Sequence, residues 1–208
     1  MALASGVMRF RALFVLLIGV AALSVLAQPA RADTRVVKGG ETRLEVNTAN
    51  FVKMLSDGIF ITPIAPARLE FGSNPAAIFP AGAGVADAVL QTATVPHQGG
   101  LHMEKASIGV AIDATNVTVS CVNAGTIPVA GCRVLNTANN VLPNELAEIK
   151  DFTFSDPGTG TVTITGRAVI SEVTALVLNT LFQSQVFHAG MELGPITSKL
   201  NYDPLPQL

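Results

Sequence analysis

Short runs of alternating apolar and polar residues dominate the chain beyond position 33 and constrain its fold most. They occupy residues 42–46, 59–64, 107–113, 116–121 and 161–165. Successive side chains of a β-strand point to opposite faces, so each run predicts a strand with one buried face. Breaks rich in Gly, Pro and Asn separate the runs, at residues 72–75, 80–84, 97–100 and 155–160. Short strands and turns in this order predict a mainly β, antiparallel fold, either a β-sandwich or a partly closed barrel.

Two segments have helical spacing instead and predict two short helices. The first covers residues 47–56, with Asn47 or Thr48 as the N-cap, and the second covers residues 171–182, with Ser171 as the N-cap. Polar side chains of this kind accept hydrogen bonds from the free N–H groups of a first helical turn. The faces expected to be buried are formed by Phe51, Val52 and Leu55 in the first helix and by Val173, Leu176, Val177, Thr180 and Leu181 in the second.

The start of the chain has the three parts of a secretory signal peptide. Arg9 and Arg11 form a basic stretch, residues 13–27 are an apolar run, and residues 30–32 are a small-residue cleavage site. We expect cleavage after Ala32, with Ala27 as the second choice. A retained membrane anchor is the alternative, but it needs roughly 20 apolar residues. The predicted organisation is a signal peptide over residues 1–32, a single secreted β domain over residues 33–208, and no transmembrane anchor after cleavage.

The charge balance argues against nucleic acid as a partner. The full chain has 13 basic and 15 acidic residues, and the predicted leader contains three of the arginines and no acid. The mature part would therefore be more acidic than the precursor and would repel phosphate backbones.

Cys121 and Cys132 are the two cysteines of the chain. An even cysteine count in an exported protein favours a disulfide. The residues between them include turn formers at both ends, so a bridge would close a loop that links two strands. Two free buried thiols are the alternative. Zinc requires four ligands, and no histidine lies beside either cysteine.

Three histidines and one tyrosine are the candidate ligand-binding residues. His97 precedes Gly99 and Gly100, which would let the backbone turn tightly or approach a ligand; an exposed histidine in a hairpin turn is the alternative. His102 would lie on the opposite face of a strand, so these two predict no shared metal site. His188 follows the second helix, and Tyr202 lies in a C-terminal segment that we expect to be flexible.

Sequence motifs for catalysis are absent. The chain has no Gly-x-Ser-x-Gly elbow, no His-Glu-x-x-His motif and no phosphate-binding loop of the Walker type. The prediction is therefore a protein that is not an enzyme. A secreted hydrolase whose active site is assembled from distant residues is the alternative, because catalytic triads are defined by geometry and not by sequence order.

Several segments follow one another in a suggestive order: residues 42–46, a short helix ending at Leu55, and residues 58–67, 79–84, 97–101, 178–182 and 187–190. This order resembles secreted bacterial β domains of the HtaA type, which are associated with haem transport. It implies an exported, mainly β and non-enzymatic protein. In the haem-binding members a tyrosine ligates iron with a histidine nearby, whereas Tyr202, the one tyrosine here, lies outside the matched segments.

These observations predict a non-enzymatic binding or structural protein of the cell envelope, which is secreted, periplasmic or at the cell surface. Its predicted partner is haem or another small apolar ligand, or a cell-surface partner. His97 is the first choice for a ligand-binding residue, followed by Tyr202, His102 and His188.

Overall fold

The computed structural model describes residues 34–122, 131–138 and 140–204. The predicted signal peptide and most of the loop between the two cysteines lie outside these residues. In chain order the elements are β1 (Arg35–Glu45), α1 (Thr48–Ser56), β2 (Phe60–Ile64), β3 (Arg68–Glu70), β4 (Ala76–Ala81), β5 (Gly84–Asp87), β6 (Thr92–Pro96), β7 (Gly100–Lys105), a 3₁₀ turn (Ala106–Ile108), β8 (Val110–Thr115), β9 (Val117–Val122), β10 (Gly131–Asn136), β11 (Glu145–Ser155), β12 (Thr161–Ile170), α2 (Glu172–Phe182) and β13 (Glu192–Tyr202).

Eight antiparallel strands close into a barrel. Each strand of the series β1, β13, β12, β11, β10, β9, β6 and β5 pairs with the next, and β5 pairs with β1 again. The predicted class, mainly β and antiparallel with two short helices, is confirmed, and the barrel is closed and not partly open. Closure pairs the edges of the sheet with each other, so that no barrel strand is left with an unpaired edge.

Alternation within the barrel strands places one set of side chains in the interior. In β12, Val162 and Ile164 are buried between less buried threonines, and in β13 the inward residues include Ile196 and Leu200. This is the pattern expected of strands with one buried face.

Two further layers cover one part of the barrel. Strands β2, β7 and β8 form a separate antiparallel sheet, and β4 and β3 extend the barrel sheet from β1. The three-stranded sheet and both helices share an apolar cluster that includes Met54, Ile59, Met103, Ile112, Leu178 and Phe182. None of the helices in the described part of the chain is long and apolar enough to cross a membrane.

Both helices begin where the sequence predicts, but they bury different faces. The side chains of Asn47 and Ser171 accept hydrogen bonds from the backbone N–H groups of Asn50 and Thr174, each at 3.2 Å. The predicted faces are right only in part. Phe51 and Leu181 pack against the core, but the buried residues are Met54 in α1 and Thr174, Ala175, Leu178 and Phe182 in α2, whereas Val52, Val173 and Leu176 are exposed.

Two predicted boundaries also shift. Residues 107–113 do not form one strand, because the 3₁₀ turn occupies their start and Gly109, with φ of 65°, precedes β8. Residues 80–84 are not simply a loop, because Pro80 and Ala81 complete β4 and Gly84 begins β5.

Cys121 and Cys132 are directly opposite each other on β9 and β10 and form a disulfide. The predicted bridge is confirmed. Both cysteines are buried in the barrel interior, and their neighbours across the sheet are Ala93 on β6 and Ile149 on β11. The disulfide therefore links two strands that already pair.

Candidate functional site

A cavity of about 150 Å³ lies where the barrel interior meets the three-stranded sheet and the helices. The barrel, the sheet and the helices all contribute apolar side chains, among them Val119, Ile196, Met103, Ala114, Met54 and Leu178. Thr42, His97 and Thr174 are the polar residues of the described lining. The surface of the cavity is thus almost entirely apolar, as in most small-molecule sites.

His97 contributes a buried imidazole to this cavity. It follows β6, and its backbone N–H donates to the Val117 carbonyl at 2.8 Å, while an isolated bridge joins it to Ala81 on the other side. These two contacts hold the segment between β9 and β4. His97 is only 5% exposed, so the alternative of an exposed turn histidine is wrong.

The two glycines after His97 serve packing within the chain. A Cβ on Gly99, whose φ is 76°, would lie 2.4 Å from the Ile64 carbonyl oxygen, and one on Gly100 would lie 2.1 Å from that of Ala114. Real Cβ atoms do not approach so closely, so both positions require glycine. The backbone approaches its own neighbours here and turns the chain from the barrel into β7.

Hydrogen bonds connect His97 to two side chains of the barrel wall, Thr42 and Ser198. Thr42 and Ser198 are opposite each other on β1 and β13, and both are buried. The Thr42 Oγ1 lies 2.6 Å from His97 Nε2 and 2.7 Å from Ser198 Oγ. His97 Nδ1 is the one buried side-chain nitrogen or oxygen in the described residues without a hydrogen bond of ordinary distance and angle.

Burial sets the charge state of His97. It lowers the pKa of His97 to about 4, against a smaller opposing effect of a hydrogen bond between the ring and the Val95 backbone. Desolvation disfavours the charged imidazolium, and none of the described contacts of the ring is with an acidic side chain that would compensate. The imidazole is therefore neutral at pH 7, with one nitrogen as a donor and the other as an acceptor.

Tyr202 lies elsewhere in the barrel and belongs to a different cluster. It is the last residue of β13 and is 5% exposed, so the expectation of a flexible segment at this position is wrong. Its hydroxyl donates to Asp156 Oδ1, the Arg35 guanidinium lies 4.8 Å from its ring centroid, and Arg35 Nε donates to Asp156 Oδ2 at 3.0 Å. The tyrosine is held by partners of its own.

The other two histidines lie outside the cavity. His102 is on the outer face of β7, and its Nδ1 lies 2.6 Å from Asp113 Oδ1 on β8. The hydrogen bond with Asp113 raises the pKa of His102. His188 is exposed, and its Nδ1 lies 3.3 Å from the Ala189 carbonyl.

The structure therefore does not gather the four candidate residues. Among them only His97 lines the cavity. The described residues also contain no group of three His, Cys, Asp or Glu side chains arranged to hold a metal ion.

Thr42 and Ser198 are site residues that the sequence analysis missed. Each is a hydroxyl residue at an inward position of a strand. Along β13, Ile196, Ser198 and Leu200 are the successive inward-facing residues. The sequence signal was a polar residue at a position where the alternation of the strand predicts a buried apolar one. Such a residue indicates a hydrogen-bonded partner, because buried polar groups require partners.

Comparison with known proteins finds likeness in structure alone. No family model matches the chain, and no curated protein sequence matches it. The C-terminal domain of HtaA from Corynebacterium glutamicum superposes with a TM-score of 0.55 at 12% identity, over 81% of this chain and 99% of that domain. This chain has the HtaA fold. The heme binding protein HtaB from the same organism covers 82% of the chain and 96% of its own, with a TM-score of 0.49 at 18% identity.

The size of the cavity tests whether haem, the ligand expected from the sequence, fits there. A cavity of about 150 Å³ is the size that holds benzene, and drug-sized ligands occupy roughly 300–1,000 Å³. The porphyrin ring is several times larger than benzene. The Tyr202 hydroxyl is bound to Asp156, and His97 Nε2 is bound to Thr42. The cavity and the residues that surround it do not fit haem.

Proposed function

We propose that this chain is an exported, non-enzymatic protein that binds a small apolar molecule in the cavity between the barrel, the three-stranded sheet and the helices. The observation that carries the proposal is the cavity itself: about 150 Å³ of space with an almost wholly apolar lining. Folded proteins close-pack their interiors, so an apolar space of this size is uncommon and destabilising unless a ligand fills it.

Export is the part of the proposal that rests on the sequence. Residues 1–32 have the basic, apolar and small-residue parts of a signal peptide. The disulfide between Cys121 and Cys132 is also typical of proteins that function outside the reducing cytoplasm.

The chemistry of His97 supports binding over catalysis. Thr42 Oγ1 is within hydrogen-bond distance of His97 Nε2, as a nucleophile is to its base. However, a general base works best when its pKa is near the working pH, and the pKa of His97 is about 4. A group so weakly basic is a poor acceptor for the proton of a threonine hydroxyl.

Titration of the exported protein with benzene tests the proposal. We expect saturable binding at one equivalent by calorimetry, and a rise in the melting temperature, because a ligand that binds only the folded state stabilises it. The variant Ala114→Leu fills part of the cavity and should weaken benzene binding by at least tenfold. Ala111→Leu is the matched control, since Ala111 is exposed on the same strand and should bind benzene as wild type does.

Haem titration is the second arm of the same experiment. We expect the spectrum of free haem at every ratio. Saturation at one equivalent with a distinct Soret band, abolished by His97→Ala, would show that the cavity opens to a much larger ligand. The proposed function would be refuted if benzene failed to bind and if Ala114→Leu and Ala111→Leu had the same melting temperature.

A further inference from the structure

The polar side chains that line the cavity use their hydrogen-bonding atoms within the protein. His97 is one of them. Its Nε2 lies 2.6 Å from Thr42 Oγ1, its Nδ1 has almost no accessible surface, and the ring forms a hydrogen bond with the Val95 backbone. The imidazole therefore presents neither nitrogen to a ligand in the cavity.

The Thr42 hydroxyl has a single hydrogen, which is used whichever nitrogen of His97 is protonated. If Nε2 carries the ring proton, it donates to Thr42, and Thr42 donates to Ser198. If Nδ1 carries it, Thr42 donates to Nε2 and can accept from Ser198. In both arrangements Thr42 has no hydrogen left for a ligand.

The Thr174 hydroxyl is used to hold the first turn of α2 against β11. It donates to the Glu145 carbonyl at 2.7 Å and lies 2.9 Å from Ser171 Oγ. The strands of the described barrel also pair with a neighbour on both sides, so their backbone N–H groups are used in the sheet. A ligand oxygen would therefore meet no free donor among the polar side chains or barrel strands of the described lining.

We infer that the cavity is specific for a hydrocarbon and discriminates against the ketone or ether of the same shape. This inference rests on the proposed function and names the chemical class of its ligand. A ligand oxygen would lose its hydrogen bonds to water on entering the cavity and would gain none in return. A hydrocarbon loses no hydrogen bonds, and its whole surface is buried against apolar walls.

A pair of benzene-sized ligands tests the inference. Cyclopentanone and methylenecyclopentane differ only in an oxygen that replaces a methylene group. Their dissociation constants should be measured on the exported protein by displacement of benzene in calorimetry. Octanol donates hydrogen bonds to a ketone and cyclohexane does not. We expect the ratio of the two dissociation constants to equal or exceed the ratio of their transfers from water to cyclohexane, which is larger than the ratio for octanol.

The variant Met103→Gln tests the same point by supplying the missing donor. Met103 lines the cavity from β7, and a glutamine has an amide group that can donate to a ketone. We expect the preference for methylenecyclopentane to fall roughly 5- to 10-fold, as one hydrogen bond is gained. His102→Gln is the matched control, because it adds the same amide to the outer face of the same strand, and its preference should be that of wild type.

The outcomes distinguish the inference from the proposed function. A wild-type ratio closer to that for octanol than to that for cyclohexane would show that the cavity donates to the ketone. It would overturn the inference while the proposed function stands, and this measurement decides even if Met103→Gln does not fold. If neither benzene nor methylenecyclopentane binds, the proposed function fails and the inference fails with it.

Discussion

Two polar clusters lie inside the same barrel, and they differ in whether their polar atoms are paired. Ser198 and Tyr202, four residues apart on β13, belong to one cluster each. In the Tyr202 cluster Asp156 accepts hydrogen bonds from the Tyr202 hydroxyl, from Arg35 and from the Gly158 N–H. Burial opposes ionisation of Asp156, but these bonds outweigh it and lower the pKa of its carboxyl.

The cluster around His97 is neutral and incomplete. Thr42 pairs with Ser198 and with Nε2 of His97, whose Nδ1 has no hydrogen bond of ordinary geometry in the described residues. Here burial prevails and lowers the pKa of His97. The difference shows that burial has two outcomes in this protein: a carboxyl surrounded by hydrogen-bond donors stays charged, whereas the His97 imidazole, with no charge beside it to compensate, stays neutral.

The largest effect should follow from breaking the charged cluster. Asp156→Ala would remove the acceptor of the Tyr202 hydroxyl and the carboxylate to which Arg35 Nε donates, and we expect a loss of about 3 kcal/mol in the free energy of unfolding. Urea denaturation measures it. Asp203→Ala is the control, because the Lys38–Asp203 pair is exposed and should contribute less than about 1 kcal/mol. Equal losses in the two variants would show that the cluster is not structural.

Acid should destabilise the protein through the neutral cluster. The pKa of His97 is lowered from 6.5 to about 4 in the folded state. The unfolded chain therefore binds a proton more readily than the folded one. The stability that comes from the neutral His97 is present above about pH 6.5 and is lost as the pH falls towards 4. Between pH 7 and pH 5 wild type should lose about 2 kcal/mol more than His97→Phe. The same pH dependence in both proteins would contradict the buried neutral imidazole.

The smallest effect concerns the exposed histidine pair, which titrates in the opposite direction. The hydrogen bond with Asp113 raises the pKa of His102, so its stabilising effect is present below about pH 6.5 and is lost as the pH rises. His102→Ala should change the free energy of unfolding by less than about 1 kcal/mol. An NMR titration should place the pKa of His102 above 6.5 in wild type and lower in Asp113→Asn; the reverse order would refute the pairing.

Much of the fold could be predicted from local sequence. Four of the five alternating runs correspond to strands, the exception being residues 107–113, and the caps Asn47 and Ser171 and the disulfide are present in the structure. The buried faces of the helices could not be predicted. Helix α2 has apolar residues around most of its circumference, so its periodicity does not distinguish Leu178 from Leu176. The packing of the helix against the barrel and the sheet decides which face is buried.

The candidate site, like the fold, could be predicted from the sequence only in part. His97 could be chosen from the sequence because it is one of three histidines and precedes two glycines. Contacts between residues far apart in the chain decide the rest. They bury His97, pack Gly99 and Gly100 against other strands, and keep Tyr202 away from His97.

The sequence by itself determined several of the strands, the helix starts and the disulfide, because these depend on the alternation of residues, on capping side chains and on the cysteine count. Tertiary structure alone decided that the sheet closes, that Thr42 and Ser198 meet His97, and that a cavity remains beside them. The physical reason is that strand register and packing join residues as far apart as Thr42 and Ser198, and no local pattern encodes which inward side chains will meet.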